Sequence, residues 1–248
     1  MPIITVDINN LETEHICCAI SEKKGENCVG SKKAWLRQRM EYGLVFKKLD
    51  ERGKVFIEYI PAEYAFAPVD APGYMYINCF WVSGKYKGQG YANELLQACI
   101  DDAKAKGCKG LVTLSSDKKS TFLSDPKYLK YKGFTLADSA EPYFELLYLP
   151  FDENAQKPSF RPQVKTGKID EGGLVLYYSN GCPHTDKYVK IIQEHAQSQG
   201  KQLSVRKIET LEQAKSSPTP FTIYSLYKDG EFVTNEILTT KKFDELTE

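Results

Sequence analysis

The sequence predicts an α/β (α+β) protein in two parts: a larger unit over residues 1–150, a linker over 151–173 and a smaller unit over 174–248. Three observations carry this. An apolar run, Tyr74 to Val82, feeds a glycine-rich turn and then a helix with one apolar stripe of Leu95, Leu96, Cys99, Ile100 and Ala103. Between Pro150 and Gly173 the composition shifts to polar residues punctuated by Pro158, Pro162, Gly167, Gly172 and Gly173, as in a connecting segment. A fresh strand–helix–strand pattern then starts at Leu174 and ends in a hairpin and a helix.

Taken in order, Ile3 to Asp7 alternate as a strand does, and a helix is expected near Thr13 to Ser21. A second helix follows Gly30, with Trp35, Leu36 and Met40 at helical spacing. Gly43–Leu49 and Lys54–Ile60 are β-rich and meet at Asp50-Glu51-Arg52-Gly53, a hairpin turn. Tyr74–Val82 is apolar throughout, as a central strand covered on both faces must be. The helix Tyr91–Lys106 ends at Gly107, where glycine tolerates the left-handed closing turn. Gly110–Leu114 is a short buried strand, a helical segment over Phe122–Lys132 stops at Gly133, and Phe134–Leu136 and Tyr143–Leu149 close the unit as strands. In the smaller unit, strand Leu174–Tyr178 leads to helix Thr185–Gln199 and strand Leu203–Ile208. A turn or short helix reaches Pro218 and Pro220, then Phe221–Tyr227 and Glu231–Ile237 form a hairpin across Lys228-Asp229-Gly230. A short helix ends the chain.

Composition narrows the function. Lys plus Arg equals Asp plus Glu at 33 each, so no global field favours nucleic acid or an anionic membrane. No apolar run approaches the roughly 18–20 residues of a membrane span, and Met1–Asn10 lacks the basic-then-apolar pattern of a signal peptide. A cytoplasmic location is the resulting expectation. The seven cysteines are irregularly spaced with no paired Cys-x-x-Cys, so no metal site is expected. All but Cys182 read as reduced, small apolar residues.

The segment from Val82 to Leu96 is the most informative. Gly88, Gly90 and Ala92 let backbone approach a ligand closely, and the first turn of the following helix offers free N–H groups and a positive dipole end. Together these form an anion site suited to a diphosphate. A P-loop is excluded because no Gly-Lys-Ser/Thr ends the run. The segment resembles the Arg/Gln-x-x-Gly-x-Gly/Ala signature of the GNAT acyltransferases, with Lys87 in the first position, Gly90 in the fourth and Ala92 in the sixth. Lys87 keeps the charge of the usual arginine but not its planar fork. The resemblance covers residues 1 to about 150 and implies acetyl-CoA as co-substrate. It implies main-chain pairing of Phe80 and Val82 with the pantetheine arm, and amides of Lys87, Gly88, Gln89, Gly90, Tyr91 and Ala92 around the pyrophosphate.

Acetyl transfer to an amine needs a deprotonated nucleophile and a proton for the departing thiolate. The family commonly uses a tyrosine for the second task. Here Tyr128-Leu129-Lys130-Tyr131-Lys132-Gly133-Phe134 resembles the family's Tyr-x-x-x-Gly-Phe ending with one residue inserted. Tyr128 is the first candidate for the acid and Tyr131 the second. For the base, Glu58 sits among Phe56, Ile57, Tyr59 and Ile60, where burial would favour its neutral form. Glu63 and Glu145 are alternatives, as is an ordered water chain.

In the smaller unit, Ser179-Asn180-Gly181-Cys182-Pro183-His184-Thr185 places Cys182 at a helix N-terminus, where a thiolate is favoured. The turn resembles the Cys-Pro-x-Cys of thioredoxin-like folds, with Thr185 replacing the second cysteine, and Pro220 in Thr219-Pro220 resembles their cis proline. The two-part architecture resembles the YoaP-like group of acetyltransferases. The expected function is acetyl transfer from acetyl-CoA to a primary amine of a small molecule, with no nucleic-acid or membrane partner. The alternatives are a CoA-binding, thiol-sensing module and a monothiol redox protein using Cys182.

Overall fold

The computed structural model describes residues 1–20 and 26–248. In chain order the larger unit runs β1 (Ile3–Val6), α1 (Cys28–Met40), β2 (Val45–Leu49), β3 (Val55–Pro61), β4 (Val69–Asp70), β5 (Tyr74–Val82), α2 (Tyr91–Ala105), β6 (Gly110–Ser116), α3 (Pro126–Tyr131), β7 (Thr135–Ala140) and β8 (Phe144–Pro150). Then follow β9 (Ser159–Phe160), β10 (Leu174–Tyr178), α4 (Thr185–Ser198), β11 (Leu203–Lys207), α5 (Leu211–Lys215), β12 (Tyr224–Lys228), β13 (Glu231–Thr234) and α6 (Thr240–Thr247).

Strand alternation divides the large sheet into two packed faces. Ile57, Tyr59, Met75, Ile77, Leu111 and Leu147 point to the face covered by α2, which inserts Leu95, Leu96, Cys99 and Ala103. Phe56, Ile60, Tyr76, Val112 and Leu146 point to the other face, where Leu36 of α1 packs, and the same core continues into Leu176, Val189 and Phe243 of the smaller unit. The order is β1-β2-β3-β5-β6-β8-β7, and β5 beside β6 is parallel while the other neighbours are antiparallel.

One irregularity sets up the site. Glu58 faces Cys79 and Tyr59 faces Ile77, so Asn78 is an extra residue bulged out of β5. β5 and β6 pair only from Tyr74/Gly110 to Ile77/Thr113. Beyond that point β5 stays with β3 and β6 stays with β8, and a wedge opens between Asn78–Val82 and Leu114–Ser116.

The smaller sheet has the order β11-β10-β12-β13, with β10 parallel to β11 and antiparallel to β12. It is fastened to the larger unit by polar contacts as well as core. Lys32 Nζ donates to Gly181 O at 2.8 Å, Lys215 Nζ to Ala62 O at 2.8 Å, and Thr222 Oγ1 to Phe66 O.

Several expectations are corrected. Residues 13–20 form turns rather than a helix, and Ser21 lies outside the described residues. Just before this segment the Asn10 and Asp7 side chains accept the Asp7 and Asn9 N–H groups, and Thr13 N and Glu14 N donate to Asn10 O, so the turn runs on into it. The helix expected from Phe122 begins only at Pro126, where Asp125 caps it through the Lys127 and Tyr128 amides. The segment over 151–173 is not a free tether: β9 pairs with β4, and Phe160 and Val164 are buried. The apolar anchors, two in a polar run, outweigh the composition. Among the described residues no helix is long and apolar enough to cross a membrane.

Candidate functional site

The loop before α2 is built for backbone donation. Gly88 and Gly90 hold φ of 76° and 88°, a region glycine enters without strain, and Gly90 caps α2 with no side chain closing the helix end. A Cβ placed on Gly88 would meet nothing within 4 Å, so the space above the loop is open. The Lys87 N–H donates to Gly84 O, which takes it out of the expected set of donors, while among the described residues the N–H groups of Gly88 through Ala92 have no acceptor within the chain. Five free donors at a helix N-terminus fit a pyrophosphate. Tyr91 and Gln89 serve the loop itself: Tyr91 is buried edge-on against Tyr86, and Gln89 donates to Lys85 O.

Beside the loop lies a cavity of about 420 Å³ walled by Phe80, Val82, Lys87, Ala92 and Tyr128. Tyr128 stands edge-on to Phe80 at 5.7 Å and donates from its hydroxyl to Asn93 Oδ1 at 3.2 Å. Burial pushes its phenol up to about 12, so it holds its proton at neutral pH. Tyr131 is 82% exposed and lines neither cavity, which removes it from the site. On a six-residue helix, a residue three beyond Tyr128 could share its face, but α3 buries only Leu129 and Pro126 and turns Tyr131 to solvent.

Through the wedge a second cavity of about 390 Å³ opens between the two units. Phe80, Trp81 and the loop Thr121–Ser124 border both cavities, so the two adjoin across these residues. Phe122 sits at this junction with φ of 66°, a strained setting for a bulky residue and one found at functional sites. The smaller unit clamps that loop. Asn235 Nδ2 donates to Thr121 O at 3.1 Å, Thr121 Oγ1 donates to Glu236 Oε1 at 2.9 Å, and Tyr143 donates to Asn235 Oδ1 at 2.6 Å.

Glu58 lines the second cavity at 1% exposure, paired with the fully buried Lys32 at 2.7 Å, and Asn78 Nδ2 donates to its other oxygen at 3.1 Å. Burial works against the Lys32 charge, but Glu58 and the neighbouring thiols outweigh it and its pKa is raised. Glu63 accepts the Gly73 amide and Glu145 pairs with Lys130; neither lines a cavity. Lys32 was not legible as a site residue, because a lysine on a helix reads as a solvated charge and its partners Glu58 and Gly181 lie 26 and 149 residues away in the chain.

Cys182 also lines this cavity, together with Cys17, Cys18 and Cys79. The expected low thiol pKa is overturned. Burial pushes Cys182 up to about 12, and a hydrogen bond from the His184 backbone offsets only part of that. Helix α4 starts three residues later, at Thr185, whose hydroxyl turns back to Ser179 O and Cys182 O at 2.8 Å. Pro220 borders the cavity as well, but its peptide bond is trans; Phe221 N donates to Thr219 Oγ1 in a local side-chain turn. Among the described residues no cluster of metal-ligating side chains is present.

Comparison with known proteins accords with this geometry. Residues 11–123 match the acetyltransferase (GNAT) family and residues 202–245 match the YoaP-like family. The chain is 44% identical over 246 residues to an uncharacterized N-acetyltransferase, YoaP, of Bacillus subtilis (strain 168), covering 99% of this chain and 98% of that protein. Among solved structures, the PaiA N-acetyltransferase of Thermoplasma acidophilum in complex with coenzyme A aligns at TM-score 0.40 and 16% identity, over 61% of this chain and all (100%) of that one. A GNAT family acetyltransferase of Brucella melitensis in complex with acetyl-CoA aligns at TM-score 0.40 and 14% identity, over 65% and 96% of the two chains.

Proposed function

The chain belongs to the GNAT N-acetyltransferases of the YoaP-like type, enzymes that use acetyl-CoA, and we propose that the reaction is divided between the two adjoining cavities, acetyl-CoA in the loop-side one and a small primary amine in the inter-unit one. The observation that carries this is the wedge between β5 and β6, where the two cavities adjoin across Phe80, Trp81 and the Thr121–Ser124 loop.

Acetyl-CoA supplies the thioester. The Gly88–Ala92 amides hold its pyrophosphate, Lys87 adds charge, and the unpaired edge of Phe80–Val82 accepts the pantetheine arm as an added strand. The amine nitrogen bonds to the acetyl carbon and the carbon–sulfur bond breaks. Glu58, fixed by Lys32 and Asn78, takes the proton the nitrogen loses. Tyr128, protonated at neutral pH, gives its proton to the departing sulfur. Bulk proton exchange restores both groups.

We read residues 1–150 as the acetyltransferase domain, 151–173 as its docked connection and 174–248 as a thioredoxin-like domain; the sheet order β11-β10-β12-β13 with helices after β10, β11 and β13 supports that reading. A redox role for Cys182 is disfavoured by its raised thiol and by Thr185 in place of a resolving cysteine. The free thiols around the cavity fit a reducing, cytoplasmic setting.

Calorimetric titration of acetyl-CoA into the wild type and Gly90→Asp tests the first half of this reading. Aspartate at φ of 88° adds strain and places an anion against the phosphates, so binding to the variant is expected to vanish. Equal binding by both proteins would remove the loop from the site. Amine-dependent release of free CoA thiol tests the second half.

A further inference from the structure

The inter-unit cavity is built with one carboxylate, many rings and almost no free hydrogen-bonding capacity. Its walls include Trp35, Tyr76, Trp81 and Phe122 from the larger unit and Phe221 and Ile223 from the smaller. Most of the polar side chains that border it are already committed within the chain, the buried Trp35 Nε1 being an exception. Thr222 Oγ1 donates to Phe66 O, Thr121 Oγ1 to Glu236, and Asn78 Nδ2 to Glu58. Lys32, the cation behind the wall, is committed to Glu58 and to Gly181 O, while the two Glu58 oxygens, one bonded to Lys32 and the other to Asn78, keep further lone pairs that can accept from an amine. His184 is held neutral, first by burial and then by Lys54 and Lys187.

From this inventory we infer that the acceptor is an arylalkyl primary amine, a single ammonium on an apolar or aromatic body, which enters with its nitrogen toward Glu58 and its ring among Trp35, Trp81, Phe122 and Phe221. The inference rests on the reading of this cavity as the acceptor site. It follows from what other amines would leave unpaired. An α-amino acid brings a carboxylate to a wall with no uncommitted cation. A polyamine brings a second ammonium with no second carboxylate. An amino sugar brings several hydroxyls to a wall whose unpartnered indole N–H, on Trp35, is too little to pair them. The ring of an arylalkyl amine has no such demand, and aromatic side chains offer it edge-to-face contacts. At about 390 Å³ the cavity lies within the range of small-molecule sites. The four thiols on its wall are part of this apolar character, since burial keeps Cys17, Cys79 and Cys182 in the neutral form.

The protein carries its own reporter, because Trp35 and Trp81 are its two tryptophans and both line the cavity. The full chain is titrated with 2-phenylethylamine, phenylalanine, spermidine and glucosamine, with and without saturating CoA, and tryptophan emission is read. A saturable change with 2-phenylethylamine is expected, with each of the other three at least about tenfold weaker. Ile223→Asp, and Ile223→Ser as the milder variant, should weaken 2-phenylethylamine while leaving CoA affinity by calorimetry unchanged. Tighter or equal binding of phenylalanine, spermidine or glucosamine overturns the inference, as does the absence of any response to 2-phenylethylamine. Failure of CoA itself to bind overturns the acetyl-CoA reading instead, and the ranking of the amines still decides the chemistry of the cavity.

Discussion

The Lys32–Glu58 pair is the point where stability, domain coupling and chemistry meet, and it can be taken apart by a double-mutant cycle. The side chains are 0% and 1% exposed and 2.7 Å apart. Removing one partner leaves the other as an isolated buried charge, at a cost of about 3–5 kcal/mol. Glu58→Gln leaves the Lys32 ammonium with Gly181 O, and Lys32→Met leaves the Glu58 carboxylate with Asn78. In a chain of this size each kcal/mol corresponds to about 2–4 °C in Tm, so each single variant should melt about 6–20 °C lower. Lys32→Met with Glu58→Gln removes both charges and leaves the Gly181 carbonyl and the new amide N–H groups without Lys32 or the carboxylate, so its loss should be about 2–6 kcal/mol, below the sum of the two. Urea unfolding of the four proteins measures this, and amine-dependent thiol release run alongside separates the roles. The double variant should lose less stability than the two singles together without regaining turnover, because the proton acceptor is still missing. Single variants that cost under about 1 kcal/mol, or a double variant equal to the sum, would refute the reasoning. The pH dependence has a definite sign. The Lys32 pKa lies above the ordinary 10.5, so the pair's contribution is full below that value and is lost only as pH rises through the raised one. No loss from this group is expected between about pH 7 and 10.

Other perturbations follow from the same geometry. Tyr128→Phe should lower kcat by about 10²-fold or more with acetyl-CoA affinity unchanged, measured by thiol release and calorimetry; an unchanged kcat would take the proton donation away from Tyr128. Cys182 in the folded protein should react with iodoacetamide at pH 8 far more slowly than in urea, because its thiol is pushed up to about 12; equal rates would contradict its burial. Burial also raises Cys17, Cys79 and Cys99 above the ordinary 9.0, so the folded chain holds these protons more tightly than the unfolded one. Stability should therefore fall as pH rises above about 9, as urea midpoints across that range would show. Asn235→Ala should release the Thr121 loop that carries Phe122, raising KM for the amine more than Kd for acetyl-CoA; equal effects on both would mean the clamp serves general stability.

The sequence by itself determined the elements with strong local rules and the one loop whose chemistry is main-chain. Tyr74–Val82, the stripe of α2 and the positive-φ glycines Gly88 and Gly90 are properties of neighbouring residues, so spacing reveals them. The donors they present need no particular side chain, and a glycine pattern is enough to locate them. Local rules failed where a distant partner overrode them. Where a helix is expected, Glu14 pairs with Lys48 and Ile16 enters the core, and Phe160 and Val164 dock a segment whose composition is that of a tether. The inter-unit cavity was invisible for the same reason. It is assembled from α1, the bulge at Asn78, the Thr121–Ser124 loop and the Gly181–Cys182 turn, which lie far apart in the chain. Only packing of the smaller unit onto the larger brings Lys32 to both Glu58 and Gly181. That packing also reversed the reading of Cys182. A helix N-terminus favours a thiolate when water can reach it, but enclosure between two units removes the solvent that the charge requires, and desolvation is the larger effect.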